Sequence, residues 1–195
     1  MSIPTPESLT SLSDIATAVH DCTACPLAVG RLTAVPGDGD PNSDILFIGE
    51  GPGQKEDQTG HPFVGAAGKF LDEMLASINK TRADVFVTNV VKCRPPANRD
   101  PEPIEIKTCT DLFLWTQIKL MNPKLIVTLG RHSMGLFIPD VRISEIHGQP
   151  KRVKGHVVLP LYHPAAALYN GGMRKTLLYD FQKIPLVLKK LSTVQ

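Results

Sequence analysis

The stretch ILFIGEGPG, Ile45 to Gly53, decides the fold, because an apolar, β-branched run passes directly into a turn of alternating glycines. Bounded in this way, Ile45 to Ile48 reads as a buried strand. Val85 to Val91, Leu125 to Leu129 and Val157 to Leu161 have the same character, and helical patterns separate all four. Leu12 to His20 follows Ser11 or Ser13 as N-cap, and Ala66 to Ile78 carries Phe70, Leu71, Met74, Leu75 and Ile78 on one stripe. Glu102 to Met121 begins after Pro101, Arg131 to Phe137 follows, and Arg174 to Leu191 is expected to kink at Pro185. Strand then helix, four times over, predicts an α/β protein, a three-layer α/β/α sandwich with a four-stranded parallel sheet. Ligands of such sheets gather outside the carboxyl ends of the strands. Gly49 to Gly53, Asn89 to Pro96, Gly130 to Ser133 and Tyr162 to Asn170 all fall there.

A length of 195 residues with 42% hydrophobic and 21% charged residues suits one domain, 1–195, and excludes disordered, collagen-like and disulfide-scaffold classes. A chain of this size buries roughly 70% of its unfolded surface, so its core requires no metal. No apolar run approaches the ~20 residues of a membrane span. The start MSIPTPESLTSL lacks a signal peptide's basic end and apolar stretch, so a soluble, cytoplasmic protein without membrane contact is expected. The net charge of +2 divides into −5 for Met1 to Glu145 and +7 for Ile146 to Gln195, where Asp180 is the sole acid. Such a basic quarter fits a polyanion and equally a solvated face.

The four cysteines are Cys22 and Cys25 in a C-x2-C turn, and Cys93 and Cys109. Two thiolates on one tight turn plus two more suit a tetrathiolate metal centre. Four unrelated buried thiols, or a redox pair at Cys22 and Cys25, would give the same spacing. Zinc and an iron-sulfur cluster are equally compatible with it.

Gly49, Gly51 and Gly53 let backbone approach a ligand closely. The spacing is G-x-G-x-G rather than G-x-G-x-x-G, Pro52 removes an amide, and GAAGKF is no Walker sequence, which argues against a pyrophosphate site. Glu50, Glu56, Asp57 and Phe63 suit a polar, stacked ligand such as a base.

These residues carry a resemblance. GEGPGQKED with PFVG (within Gly49 to Gly68), TNVVKCRPPANRDP (Thr88 to Pro101) and HPAAALYN (His163 to Asn170) are similar to the three active-site motifs of the family 4 uracil-DNA glycosylases. The four-cysteine spacing resembles that family's ligand set for a 4Fe-4S cluster, and the likeness runs from about Cys22 to the last helix.

The resemblance implies a monomeric enzyme that flips deoxyuridine out of uracil-containing DNA, single- or double-stranded, and hydrolyses its N-glycosidic bond. Cys22, Cys25, Cys93 and Cys109 would hold a structural 4Fe-4S cluster. Phe63 would stack on uracil, and Asn89 would pair with its edge through a donor and an acceptor. His163, as a neutral imidazole, would stabilise the charge on the departing base. Glu50 is expected to position water or stabilise the sugar cation, because Gly51, where sister families carry Asp or Asn, has no side chain to offer. Gly51 and Gly53 would flank the base, and Glu56 would reject thymine's methyl group. Ala165 and Leu168 would enter the space left by the flipped nucleotide, and Arg94, Arg99 and Arg174 would meet DNA. The main alternative is a non-catalytic metal-cluster module that binds nucleic acid.

Overall fold

Alternation along the strands builds a core on both faces of one sheet. In this computed structural model, which describes residues 5–193, the strands are β1 (Asp38–Gly39), β2 (Ile45–Gly49), β3 (Phe86–Asn89), β4 (Leu125–Leu129), β5 (Lys151–Val153) and β6 (His156–Leu161). Their order is β1-β3-β2-β4-β6-β5. β3, β2, β4 and β6 are parallel, with Leu46 beside Phe86 and Ile126, and Ile126 beside Val158. Ile45, Phe47, Val127 and Leu159 point into one apolar layer; Leu46, Ile48, Ile126 and Val158 point into the other.

Helices close both layers. They are α1 (Leu12–Asp21), α2 (Gln54–Thr59), α3 (Ala66–Ala76), α4 (Pro103–Cys109), α5 (Trp115–Met121), α6 (Arg131–Gly135), α7 (Ile143–Ile146), α8 (Gly171–Phe181) and α9 (Ile184–Ser192). Phe70, Leu71 and Met74 of α3 join Leu177 and Phe181 of α8 and Ile184 and Val187 of α9 on one face. Ile15 and Val19 of α1 and Ile118 of α5 cover the other. The start of α1 is fixed by Ser11, whose hydroxyl accepts from the Asp14 amide while Asp14 accepts from Ser11's, a cap of about 1 kcal/mol.

The three-layer sandwich is as expected, with two corrections to the sheet. The four-stranded parallel sheet is extended to six by β1 and β5, both antiparallel edge strands. Neither has an apolar run, and each exists because a neighbouring strand offers its free edge. Val90 and Val91, read as strand, lie beyond β3; their amides still reach the Gly49 and Glu50 carbonyls, but the chain is already turning away.

Two of the expected helices differ in form, and α2 and α7 were not anticipated. Arg174 to Leu191 is two helices rather than one kinked helix: Pro185 sits in the first turn of α9, where no amide donor is needed. Asp180, buried between them, accepts from Lys183 at 2.7 Å and lies 2.5 Å from His147 Nδ1. Glu102 to Met121 is continuous but passes through a π-helical turn, Thr110–Leu114, between α4 and α5.

Candidate active site

Three carboxyl ends, those of β2, β3 and β6, meet around one cavity of about 410 Å³, within the range that takes small ligands. It is lined by Glu50, Gly51, Pro52, Gly53, Glu56, Phe63, Ala67, Asn89, Pro95, Asn98, Arg99, His163 and Ala165. Every residue assigned to base recognition or chemistry therefore faces one space, although they span more than half of the chain.

Asn89 ends β3 and is 1% exposed, yet its Oδ1 has no hydrogen-bond partner. A buried, unpaired amide oxygen costs on the order of 1–3 kcal/mol, so it calls for a ligand donor. Its space is made by Gly49, beside it in the sheet register: a Cβ there would come 2.4 Å from Asn89 Oδ1 and 2.6 Å from Phe63 Cζ.

Phe63 is buried with φ of 54°, a left-handed backbone that non-glycine residues adopt at a cost. Several groups hold it there. Arg82 Nη2 donates to the Phe63 carbonyl at 2.8 Å and to that of Gly68 at 3.2 Å, while Arg82 Nε pairs with Asp72. Gly68 has no Cβ because one would lie 1.7 Å from the Phe63 oxygen. Glu56 accepts from the amides of Gly53 at 3.1 Å and of Val64 and Gly65 at 2.9 Å, tying α2 to the segment after Phe63.

The Phe63 ring lies against His163, centroids 5.6 Å apart and planes inclined by 28°. His163 Nδ1 accepts from the Ala165 amide at 3.2 Å, which leaves the proton of a neutral ring on Nε2. Burial pushes its pKa down to about 4, with the Glu56 charge opposing the shift only in part. The ring is therefore a neutral N–H donor at ordinary pH.

Glu50 is half-buried at the rim, and burial holds its pKa above the usual value while His132 pulls the other way. His132 Nε2 is 3.7 Å from Glu50 and 3.5 Å from Asp100, which in turn pairs with Arg131. This rim group was not anticipated: His132 stands out only once the folded chain brings α6 beside Glu50. At Gly51 a Cβ would meet Val91 Cγ2 at 2.8 Å, so no side chain is available there.

The expected DNA contacts divide. Ala165 faces the cavity, Leu168 is 40% exposed, and its neighbour Tyr169, which sequence reasoning passed over, is 94% exposed. Arg94 is half-buried and donates to Asn98. Arg99 and Arg174 are both paired within the chain. Arg99 forks onto the buried Glu105 at 2.7 and 2.9 Å, and Arg174 lies 4.3 Å above the Phe70 ring and pairs with Glu73.

The four cysteines line a second cavity between α1, α4 and the loop after β3. None is in a disulfide, and burial pushes the thiols of Cys25, Cys93 and Cys109 up, Cys109 to about 12. Arg31 Nη1 nevertheless donates to Cys93 Sγ at 3.0 Å and the Lys92 amide to Cys109 Sγ at 3.3 Å. Four sulfurs with cationic and amide donors aimed at them fit a metal centre, which takes the protons from such thiols.

A parallel sheet with a polar, aromatic-walled cavity at its carboxyl ends and a separate cysteine nest defines a class. The chain belongs to the Uracil DNA glycosylase superfamily, whose family profile matches residues 36–182. More particularly, it is similar to the type-4 branch. It is 48% identical to the type-4 uracil-DNA glycosylase of Sulfurisphaera tokodaii, over 89% of this chain and 83% of the relative. With the type-4 enzymes of Archaeoglobus fulgidus and Thermotoga maritima the identities are 45% and 43%, over 89% and 88% of this chain and 92% of each relative.

Proposed function

We propose that this chain is a DNA-repair glycosylase that removes uracil from DNA by hydrolysing the bond between the base and deoxyribose C1′. The observation that carries the reading is the buried, unpartnered Asn89 Oδ1 in a cavity walled by Phe63 and His163. Uracil offers this amide an N–H for its oxygen and a carbonyl for its NH2. The target leaves the stack, at a cost of a few kcal/mol, and enters between Phe63 and the glycine-lined wall of Gly51 and Gly53. Glu56, pinned by three amides, is a fixed wall for the edge where thymine carries its methyl group.

Cleavage breaks the bond from C1′ to the base nitrogen, and the electron pair leaves with uracil. The His163 Nε2–H donates to the carbonyl oxygen on which that charge collects. Glu50 orients the water that adds to C1′ and takes up its proton, or stabilises the cationic sugar. Arg94, Ala165 and Leu168 meet the DNA around the vacated position, with Tyr169 beside Leu168. Arg99 and Arg174 shape the site through Glu105 and Phe70.

Cys22, Cys25, Cys93 and Cys109 would hold a 4Fe-4S cluster, a reading their shared cavity supports. Its role would be structural, since Cys22 and Cys25 follow α1 and Cys93 and Cys109 bracket the segment from Arg94 to Thr108, which supplies Pro95, Asn98 and Arg99 to the active-site cavity. The chain works as a single domain and as a monomer on uracil-containing DNA in the cytoplasm. Among the described residues no helix is long and apolar enough to cross a membrane.

A uracil-release assay on single- and double-stranded oligonucleotides, in buffer without added metal or nucleotide, tests the activity. Free uracil and an abasic site are expected; DNA binding without release returns the chain to a non-catalytic module. Anaerobically purified protein is expected to be brown, with iron and acid-labile sulfide in near-equal amounts. Zinc instead would remove the iron-sulfur assignment but keep the tetrathiolate centre. Because ligation couples to folding, Cys109→Ser lowers thermal stability together with activity.

A further inference from the structure

Lys92 is 1% exposed, and its Nζ touches three oxygens: Thr88 Oγ1 at 2.6 Å, the Asn89 carbonyl at 2.7 Å and Gln117 Oε1 at 2.7 Å. All three accept from it, because the Thr88 hydroxyl and the Gln117 amide both donate to the Pro36 carbonyl at 2.8 Å. Three acceptors require three N–H bonds, and a lysine has three only as an ammonium. These partners are neutral, so a buried charge is left without a matching anion at contact distance, an arrangement that is costly by itself.

The matching charge lies one residue away. Lys92 precedes Cys93, and its own amide donates to Cys109 Sγ. Four thiolates around a 2+ core would carry a net charge of 2−, and Arg31 and Lys92 are the cations that line the nest among the described residues. On its other side Lys92 grips Asn89 through the main chain. That matters because Asn89 Oδ1 has no partner of its own. The direction of the amide is set by its backbone and by the space that Gly49 leaves for it.

We propose that Lys92 is a positioning residue: its buried ammonium, balanced by the cysteine centre, grips the Asn89 carbonyl and thereby aims the amide that reads the base. This rests on the uracil reading of the pocket and on ligation of the four cysteines. It gives the metal centre an influence on recognition, exerted across one side chain, in addition to bracing the loop.

The test is a double-mutant cycle on the full, metal-loaded chain. The readouts are affinity for an oligonucleotide carrying non-cleavable 2′-fluoro-deoxyuridine, and metal content per chain. Lys92→Met is expected to weaken binding by about tenfold, the scale of a lost hydrogen bond to a charged group, with metal content retained. In an Asn89→Ala background the same change should cost less than about twofold, since there is no amide left to aim. Lys92→Arg should recover part of the loss.

Equal losses in both backgrounds, or unchanged binding with full metal content, overturn the proposal. If Lys92→Met does not fold, Thr88→Val removes one anchor of the ammonium and keeps its charge. It is expected to weaken binding about threefold, again only while Asn89 is present, and an equal loss in both backgrounds is the overturning result. If Asn89→Ala itself leaves affinity unchanged, the uracil reading of the pocket fails, an outcome distinct from either result at Lys92.

Discussion

Asn89→Ala lowers single-turnover excision of uracil by on the order of 1,000-fold, the combined scale of two hydrogen bonds to a buried base. The fold and the cysteine nest are expected to survive, because Asn89 is held in place through its main chain. Asn89→Asp puts an acceptor where the amide had its donor, so uracil excision falls there as well. Cytosine presents an amino group and a bare ring nitrogen, and meets the wild-type amide donor to donor. Sites built around hydrogen bonds reject such partners strongly, since buried polar groups are left unpaired. Wild-type rates in a folded Asn89→Ala variant would reduce Asn89 to a residue that ends a strand.

His163→Ala slows single-turnover excision by about 100-fold or more, equivalent to ~2.7 to 4 kcal/mol for one preorganised donor. Binding to uncleaved uracil DNA changes much less; equal losses would show that His163 holds DNA or structure. The pH profile separates its role from that of Glu50. With its pKa pushed down to about 4, His163 stays neutral throughout the working range and gives no limb near 6.5. Glu50, held above the usual carboxylate value by burial, protonates first as the pH falls. The acid limb therefore persists in His163→Ala and moves to lower pH in Glu50→Gln, where His163 itself protonates. Stability moves in a defined direction too. From pH about 6.5 down towards 4 the unfolded chain takes up a proton that folded His163 refuses, so stability is lost as pH falls through that window.

The central strands were legible because residues buried on both sides leave largely apolar, β-branched runs; Leu125 to Leu129 matches β4 residue for residue. β1 and β5 were not, since Asp38–Gly39 and Lys151–Val153 carry no such run and form by pairing with strands far away in sequence or across a turn. The cavity residues Phe63, Asn89 and His163 were found through their motifs. Their environment was not: the empty acceptor on Asn89 and the left-handed Phe63 depend on groups brought in from elsewhere, Gly49 and Arg82, and the tautomer of His163 on how a local turn aims the Ala165 amide. The pairing of Arg99 was hidden for a similar reason, because a basic residue in a loop looks free until a buried carboxylate such as Glu105 is seen facing it. Lys92 gave no signal at all, since one lysine after an apolar run most often lies in solvent.

The π turn after Cys109 limits how this chain can change length. A regular helix advances by about 100° per residue, so the wide turn at Thr110–Leu114 offsets α4 from α5 by one such step. With that offset Cys109 and Phe113 line the nest while Leu114 and Ile118 pack into the apolar layer under the sheet. Deleting one residue between 110 and 114 would make the helix more regular and separate those two directions by about 100°. Insertions and deletions that the helix itself would tolerate are therefore barred here by phase: a lineage can exchange side chains along this turn far more readily than it can lose a residue from it.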